Sequence, residues 1–363
     1  MWIGPVVSES EINKSAAISP AANDWQLGMI KGLIENGADV TVISYFPEPI
    51  WPKGNLFISA KQKKIPAVEI RFVDYVNLMM FREYILGIKF SKELKKIIGV
   101  DNIPDVVITY NPSKMNCTIG TFFQTQYGGQ WASIVADGYS GGSPDKEIFL
   151  SFGYFCKSDK TKKLHIDGAT AAFKEIQIVN NSNRVIIFTG TLDKWTGILD
   201  FALQFEKLKN EGFELHIYGK GEDHNLQSIA NRCQAVKIKG FVSGEELSEA
   251  CKKAYAFINP RPTHLSGIEN NFPSKILHYL TFGRPILSSK TAGLSPVYDD
   301  LLYYYDPLDI DTLAKVFNKI ESFTNEELQA IKSSSRSFCE RSTWKNQASK
   351  VLQFLKEEGR SKS

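Results

Sequence analysis

The residues best suited to chemistry lie between 262 and 289, where a polar run precedes a proline and a lysine. Glu269-Asn270-Asn271 leads into Pro273, and Lys275 follows two residues later. Proline suits the first turn of a helix because it has no N–H to leave unpaired. We therefore predict a helix over about 273–282, whose start offers backbone N–H groups, a positive dipole end and the Lys275 ammonium. Such an end would suit a phosphorylated ligand, although a structural helix with a solvated lysine would show the same residues.

The elements around that helix predict a parallel sheet. Short, nearly continuous apolar runs alternate with amphipathic segments through the second half of the chain, a pattern typical of strands covered on both faces. The predicted strands are 184–192, 213–218, 236–240, 255–259, 284–289 and 302–305, and further helices are predicted at 198–211, 226–233 and 245–254. A doubly wound α/β domain follows, and ligands are expected at the carboxyl ends of its strands.

The first half repeats this alternation less regularly. Its predicted strands are 1–7, 39–45, 69–76, 105–110, 133–136 and 163–167, and its predicted helices are 25–35, 81–98 and 146–155. The fold prediction is therefore α/β, with two Rossmann-like doubly wound domains facing each other across a cleft. We place the first domain at 1–175 and the second at 176–342. The amphipathic helix at 343–363 can cross back to the first domain in such an arrangement.

Composition narrows the class of protein. The 363 residues carry 43 basic and 40 acidic side chains, and a net charge of +3 is too small to indicate a nucleic-acid partner. The five cysteines lie far apart without a Cys-x-x-Cys pair, which fits unpaired thiols in a reducing compartment. The first residues lack the basic start and long apolar stretch of a signal peptide. We expect a cytoplasmic protein.

Four segments together carry a resemblance to a known family. They are Gly-Thr-Leu-Asp-Lys-Trp-Thr-Gly at 190–197, Leu-His-Ile-Tyr-Gly-Lys-Gly at 215–221, Ile-Lys-Gly-Phe-Val-Ser-Gly-Glu-Glu-Leu at 238–247, and Pro-Ser-Lys-Ile-Leu-His-Tyr-Leu-Thr-Phe-Gly-Arg-Pro-Ile at 273–286. In that order they resemble the donor-binding half of GT-B glycosyltransferases, above all the retaining, sugar-nucleotide-dependent enzymes of family 4. The resemblance covers 184–313 well and the first half only in general layout. It implies that the domain at 176–342 binds the nucleotide sugar and that the domain at 1–175 is the acceptor side.

The resemblance implies a set of donor contacts. They are Gly190, Thr191 and Lys194 near the diphosphate, Gly219, Phe241 and Val242 around the base, and Asn271, Phe272, Lys275 and His278 along the phosphates and sugar. Lys275 would neutralise the leaving diphosphate, as a metal ion does in other enzymes. Members of the family generally need no metal. No cofactor is implied, since the UDP- or GDP-linked sugar is a substrate.

The sequence also departs from the family pattern. Many members carry two glutamates eight residues apart, and here Asn270 and His278 fall at those positions, with Glu269 one residue early. Thr191 and Thr196 stand where many relatives have an arginine and a lysine, and Lys194 is a candidate replacement for one of them. His278 fits a ribose contact and a packing histidine equally well.

The catalytic candidates are Asp137, Glu269 and Asn270. Asp137 ends a predicted strand where related enzymes often have an acidic or histidine residue facing the acceptor or the sugar. A plain turn residue would fit the same position. In the same domain, Ala21, Ala22 and Asn23 stand where relatives often have a glycine-rich loop, and Asn23 or Asp24 is predicted to cap the next helix.

The resemblance implies sugar transfer from a nucleotide-sugar donor to a hydroxyl of a glycan or lipid-linked glycan, in glycan or polysaccharide assembly. The alternative is a GT-B protein that binds sugar nucleotides without turnover, as a scaffold or regulatory subunit. The basic amphipathic helix predicted at 81–98 leaves two interpretations open. It can contact the inner face of a membrane peripherally, or it can pack on the core with a solvated basic side.

Overall fold

The computed structural model describes residues 1–59, 65, 68–100, 103–138, 141–176, 184–208, 212–265, 267 and 270–357. The chain forms two compact units. Unit 1 comprises Met1–Ala169 together with Trp344–Ser363, and unit 2 comprises Thr170–Thr343. The chain thus leaves the first unit slightly before the boundary that the sequence predicts at 175/176. No helix in the described ranges is both long and apolar enough to cross a membrane.

Unit 1 is built on a seven-stranded parallel sheet. Its strands are β1 (Trp2–Ile3), β2 (Thr41–Ser44), β4 (Glu69–Phe72), β6 (Val106–Tyr110), β7 (Gln130–Val135), β8 (Lys146–Phe149) and β9 (Lys163–His165), with β3 (Phe57–Ile58) and β5 (Tyr75–Val76) as a separate antiparallel pair. The helices are α1 (Pro20–Glu35), α2 (Arg82–Val100), α3 (Lys114–Tyr127), α4 (Phe152–Lys157) and the C-terminal α11 (Trp344–Lys356). The sheet order is β4-β2-β1-β6-β7-β8-β9, so its direction of growth reverses between β1 and β6.

The C-terminal helix α11 packs on α1 at two glycines. A Cβ at Gly28 would lie 2.1 Å from the Trp344 ring, and one at Gly32 would lie 2.5 Å from the Trp344 carbonyl oxygen. The two helices can therefore approach this closely only where side chains are missing. At the other end of α11, the buried Lys146 Nζ donates to the carbonyl oxygens of Phe354, Leu355 and Glu357 at 2.6, 2.8 and 2.7 Å.

Two predictions in this unit are wrong. Residues 146–149 form strand β8 instead of the start of a helix, because their side chains are all buried and Lys146 finds its acceptors on α11. Asn23 does not cap α1, which begins at Pro20 with Ser19 as its cap. Asn23 lies inside the helix, where its amide accepts from Val7 N and donates to Val7 O, at 2.9 and 3.1 Å.

Unit 2 confirms the predicted doubly wound domain. Its strands are β10 (Arg184–Thr189), β11 (Phe213–Tyr218), β12 (Val236–Gly240), β13 (Ala256–Asn259), β14 (Ile286–Ser289) and β15 (Tyr303–Tyr305). Its helices are α5 (Ile198–Leu208), α6 (His224–Arg232), α7 (Gly244–Lys252), α8 (Lys275–Leu280), α9 (Ile310–Glu321) and α10 (Asn325–Arg341). All neighbours are parallel in the order β12-β11-β10-β13-β14-β15, and the reversal falls between β10 and β13. Apolar side chains from the strands and from α5, α6 and α9 form one core of this unit.

Candidate functional site

The candidate site of unit 2 lies at the carboxyl ends of β10 and β13, the strands between which the sheet reverses direction. Loops that follow adjacent strands diverge there to opposite faces of the sheet and leave a crevice, the usual ligand position in open α/β sheets. The loop after β10 spans 190–197, and the loop after β13 begins at Pro260. The sequence pattern predicted ligands at this edge.

Glycines form the backbone floor of the crevice. Gly190 has φ +145, and its N donates to Tyr218 O at 3.0 Å. A Cβ at Gly219 would lie 1.6 Å from Gly190 O, and one at Gly197 would lie 1.7 Å from Pro260 O. No side chain fits at these positions, so backbone packs directly on backbone. The adjoining strand ends are held together by these backbone contacts.

Helix α8 places Lys275 against that floor. Tyr279 stacks on Phe257 with ring centroids 4.5 Å apart, and its hydroxyl oxygen lies 2.9 Å from the N of Thr189, which donates to it. Lys275 lies one turn earlier and therefore on the same face of the helix. Its Nζ is 4.0 Å from the centroid of the Phe188 ring, and a Cβ at Gly190 would be 2.8 Å from it. The tyrosine anchor thus fixes where the ammonium lies.

The ammonium of Lys275 is held in an unfavourable environment. Removal from water, and then the nearby Arg261 guanidinium, lower the pKa of Lys275 to about 7, while Asp193 acts weakly in the opposite direction. Lys275 forms no ion pair with any residue that the structure describes. A charged group that lacks a partner in a half-enclosed position is stabilised when an anion binds. The geometry therefore favours an anionic ligand beside Gly190.

Arg261 is a second cation at this edge that sequence reasoning missed. It follows β13 in Asn259-Pro260-Arg261-Pro262. Its Nε is buried and has no hydrogen-bond partner among the described residues. Nη1 donates a long hydrogen bond of 3.4 Å to Trp195 O. Burial lowers the pKa of Arg261 as well. The available signal was an arginine between two prolines, directly after a strand at the predicted ligand edge.

The remaining residues of the 190–197 loop divide into two kinds. Thr191 and Lys194 are exposed, and Lys194 Nζ lies 4.4 Å from the centroid of the Trp195 ring. Thr196 is buried, and its hydroxyl donates to Asp193 O at 2.8 Å. Thr196 therefore stabilises the turn at 194–196. The cations of the site come from α8, where Lys275 lies against Gly190, and from the loop after β13, where Arg261 lies near Lys275.

An aromatic side chain projects beyond the ends of β11 and β12. Phe241 is 70% exposed, and the Lys220 ammonium lies 4.2 Å from its ring centroid. Val242, the next residue, is half-buried and packs against the second core of the unit. Gly219 N donates to Gly240 O at 2.9 Å, which fixes the turn that carries Phe241. Phe241 thus offers an open ring face, and Val242 anchors the segment.

The start of α8 differs from the prediction. The helix spans Lys275–Leu280, and Ser274 before it makes no side-chain cap. The N–H groups of Ser274, Ile276 and Leu277 donate to Phe272 O, Pro273 O and Ser274 O, so the first turn is already tightened by local bonds. A set of unpaired helical N–H groups is therefore not the main feature of this site. The main feature is the pair of side-chain cations, Lys275 and Arg261.

The polar run before α8 is partly described. Asn270 is buried, and a Cβ at Gly293 would lie 2.3 Å from Asn271 O, so the turn after β14 supports this segment. The Phe272 ring lies 5.7 Å from that of Tyr298. Glu269 lies outside the described residues. The catalytic roles of Asn270 and Glu269 stay predictions.

His278 and Asp137 have distinct surroundings. The His278 ring keeps exposed surface and meets the Phe282 ring edge-on at 5.1 Å; burial and then the nearby Lys174 lower its pKa. These contacts fit the packing interpretation, and the ribose contact stays a prediction. Asp137 belongs to unit 1, where it is exposed after β7 and its N donates to Asn111 Oδ1 at 3.2 Å. Its role also stays a prediction.

Comparisons with known proteins agree with this architecture. Residues 183–320 match the family model of the group 1 glycosyl transferases. No curated protein sequence matches the chain. The chain is similar to the structure of a glycosyltransferase from Rickettsia africae, at 13% sequence identity and a TM-score of 0.69, with 98% of this chain and 97% of that one covered.

Two further solved structures are similar over nearly their full length. One is the lipopolysaccharide outer core galactosyltransferase WaaB, at 16% identity and a TM-score of 0.67, with 98% of both chains covered. The other is an E. coli trehalose-6-phosphate structure bound with UDP-2-fluoro glucose, at 9% identity and a TM-score of 0.69, with 99% of this chain and 100% of that one covered. The chain therefore has the GT-B fold of two Rossmann-like domains, and its residues 183–320 are similar to the group 1 glycosyl transferases.

Proposed function

We propose that this protein is a retaining glycosyltransferase that moves a sugar from a nucleoside diphosphate sugar to an acceptor hydroxyl. The observation that carries the proposal is the pair of cations at the reversal point of the second sheet. Lys275 has no ion-pair partner in the described ranges and Arg261 leaves Nε without one, and Lys275 lies directly against Gly190. A diphosphate supplies the anionic oxygens that both groups lack.

The proposed chemistry depends on stabilising the leaving group. The bond between the anomeric carbon and the diphosphate oxygen breaks, a bond to the acceptor oxygen forms, and negative charge develops on the departing nucleoside diphosphate. The acceptor hydroxyl gives its proton to an oxygen of that leaving group. Lys275 and Arg261 oppose that charge in a site with little water, where electrostatic stabilisation is strongest. We propose that this pair acts in the place of a divalent metal ion. The described residues contain no cluster of three or more His, Cys, Asp or Glu side chains suited to a metal.

The other contacts follow from the same placement. Phe241 would stack on the nucleotide base, and Asn270, Asn271 and Phe272 would line the phosphates and the sugar. Asp137, which would face the acceptor or the sugar, and Glu269, beside the first glutamate position of the family, are catalytic candidates together with Asn270. A UDP- or GDP-linked donor and a glycan or lipid-linked acceptor, in polysaccharide assembly in the cytoplasm, complete the proposal. The UDP-sugar bound in the E. coli neighbour supports this class of donor.

A donor screen tests the proposal. The full chain is incubated with UDP-, GDP- and ADP-sugars, with and without a panel of glycan and lipid-linked acceptors, and nucleotide release is followed with and without EDTA. We expect release with one class of donor that is accelerated by an acceptor and unaffected by EDTA. The anomeric configuration of the product, read by NMR, should match that of the donor. Inversion or a requirement for metal would contradict the corresponding part of the proposal.

The second candidate function is sugar-nucleotide binding without turnover. It is favoured by one observation, that Asn270 and His278 occupy the positions where many family members carry their paired glutamates. Neither residue supplies a carboxylate charge. The same donors separate the two functions when melting temperatures are measured as well. A nucleotide would raise the melting temperature of a binding protein, yet no product would be released with any acceptor.

A further inference from the structure

Large apolar side chains are exposed unevenly in this protein. Thirteen are exposed in the described ranges, and eight of them fall between residues 50 and 88 of unit 1. They are Ile50, Trp51, Phe57, Met79, Met80, Phe81, Tyr84 and Ile88. Met79, Met80 and Tyr84 are 73%, 83% and 71% exposed. Contiguous apolar patches are uncommon on soluble proteins and usually mark a surface that binds something.

Six of these residues lie around the start of α2. Ile50, Met79 and Met80 line a cavity of about 590 Å³ together with Glu83. A neighbouring cavity of about 270 Å³ is lined by Glu83, Tyr84 and Ile88, and by Lys92 and Lys95 further along α2. Glu83 borders both cavities, so the two groups adjoin. We call this continuous region the α2 surface: Ile50, Met79–Phe81, Tyr84, Ile88, Lys92 and Lys95.

The core does not account for the α2 surface. The helix buries Leu86, Phe90, Leu94 and Ile97 against unit 1. Tyr84, Ile88, Lys92 and Lys95 follow one another at spacings of three and four residues and therefore form a separate stripe on the helix. Packing on the core thus explains one face of α2, and the apolar start of the second face stays in solvent.

The charges of α2 favour an anionic counterpart. Lys89 and Lys92 form no ion pair with any described residue, and Lys95 lies 5.2 Å from the centroid of the Phe122 ring. Lys96 is already paired with Glu93 at 3.1 Å. Arg82 is also engaged, because its Nη1 donates to Glu48 O at 3.2 Å. Three lysines therefore remain for an external partner, opposed locally by the exposed Glu83.

We propose that the α2 surface docks unit 1 on an anionic lipid bilayer. Methionine and aromatic side chains at the start of the helix would enter the headgroup region, and Lys92 and Lys95 would contact the anionic headgroups beside them, with Lys89 adding to the positive charge nearby. Binding of this kind needs an apolar and an electrostatic contribution together. A second copy of the chain fits less well, since pairing this face with itself would bring the two lysine stripes together.

Vesicle flotation with the full chain tests the proposal. Vesicles of phosphatidylcholine alone are compared with vesicles containing about a third phosphatidylglycerol, at low and at physiological salt. The variants are Met80→Ser/Phe81→Ser and Lys92→Glu/Lys95→Glu. The matched controls are Leu308→Ser and Lys207→Glu/Lys315→Glu, exposed positions of unit 2. Circular dichroism confirms that each variant folds, and light scattering reports the oligomeric state.

We expect the wild type to float with the anionic vesicles and not with phosphatidylcholine alone. Each pair of α2 substitutions should reduce the bound fraction at least tenfold, and the lysine pair should also remove most of the salt dependence. The control variants should bind like the wild type. Absence of binding to anionic vesicles, or equal binding by folded α2 variants, would overturn the proposal. A dimer that Met80→Ser/Phe81→Ser dissociates would likewise overturn it and make this face a contact between copies.

Discussion

Lys146 in unit 1 and Lys275 in unit 2 are both removed from water, and burial lowers the pKa of both. Lys146 is 1% exposed, yet its ammonium donates to three carbonyl oxygens at the end of α11. Lys275 lies over an aromatic ring and beside Arg261, without an ion-pair partner in the described ranges. An ammonium that has its acceptors stabilises the fold, whereas one that lacks them is suited to an external anion.

The same contrast holds for the two sheets. In each sheet the strand order reverses beside the first strand, between β1 and β6 in unit 1 and between β10 and β13 in unit 2. Both sheets therefore have the same topological position for a ligand crevice. In unit 1 the polar groups near that point bond to one another, as Asn23 does with Val7 and as Ser44 does with Val6. In unit 2 the corresponding region holds two cations, Lys275 and Arg261. The fold therefore marks two possible ligand edges, and only the side chains distinguish them.

The largest effect that would test this contrast is expected from Lys275→Met. Loss of the ammonium should weaken binding of UDP or GDP at least a hundredfold, because a charge-assisted contact to the diphosphate is lost, and each factor of ten is about 1.4 kcal/mol. Isothermal titration calorimetry measures it. The exposed Lys207→Met is the control and should bind like the wild type. Unchanged affinity in a folded Lys275→Met variant would contradict the assignment.

The stability of the nucleotide-free protein should depend on pH through Lys275. Before a nucleotide binds, Lys275 favours its neutral form in the folded state, and the unfolded chain holds the proton up to a higher pH. Stability conferred at this position should therefore rise as pH increases above about 7, and Lys275→Met should remove that rise. Thermal unfolding of both proteins between pH 7 and 9 measures the difference. Parallel pH profiles would argue against a buried, unpaired ammonium.

Lys146→Met should have the next largest effect, and it should lower stability while leaving nucleotide affinity nearly unchanged. Methionine fills the space but leaves three carbonyl oxygens without their donor, which should lower the free energy of unfolding by about 2 kcal/mol. Urea unfolding measures the loss, with the exposed Lys162→Met as the control. Nucleotide affinity should change less than twofold under conditions where the variant is folded. A variant as stable as the wild type would show that the α11 contact is dispensable.

A smaller effect is expected from Arg261→Met. The guanidinium is partly engaged with Trp195 O and lies beside Lys275, so its removal should cost about tenfold in nucleotide affinity while relieving repulsion on the ammonium. Combined with Lys275→Met, the two losses should not add, because the residues share one ligand. Calorimetry on the two single variants and the double variant measures the coupling. Strict additivity would place Arg261 outside the diphosphate contact.

The sequence predicts unit 2 well because each of its strands is a compact apolar run of its own. It also points to Lys275, which stands two residues after the proline that opens a predicted helix. Arg261 could not be assigned in the same way, since it lies fourteen residues before Lys275 and the two meet only through the fold of the connection between β13 and α8. Lys146 illustrates the opposite limit. Its run Lys-Glu-Ile-Phe suits a helix or a strand, and the acceptors that decide the matter lie more than two hundred residues later.

Proton uptake on nucleotide binding tests the central claim most directly, that the Lys275 ammonium contacts the diphosphate. At pH 8 a lysine with a pKa of about 7 is mostly neutral, and a bound diphosphate favours its charged form. Titrations with UDP or GDP in buffers of different ionisation enthalpy should therefore show uptake approaching one proton per nucleotide bound. Lys275→Met should show almost none. Equal uptake by the wild type and the variant would contradict the account.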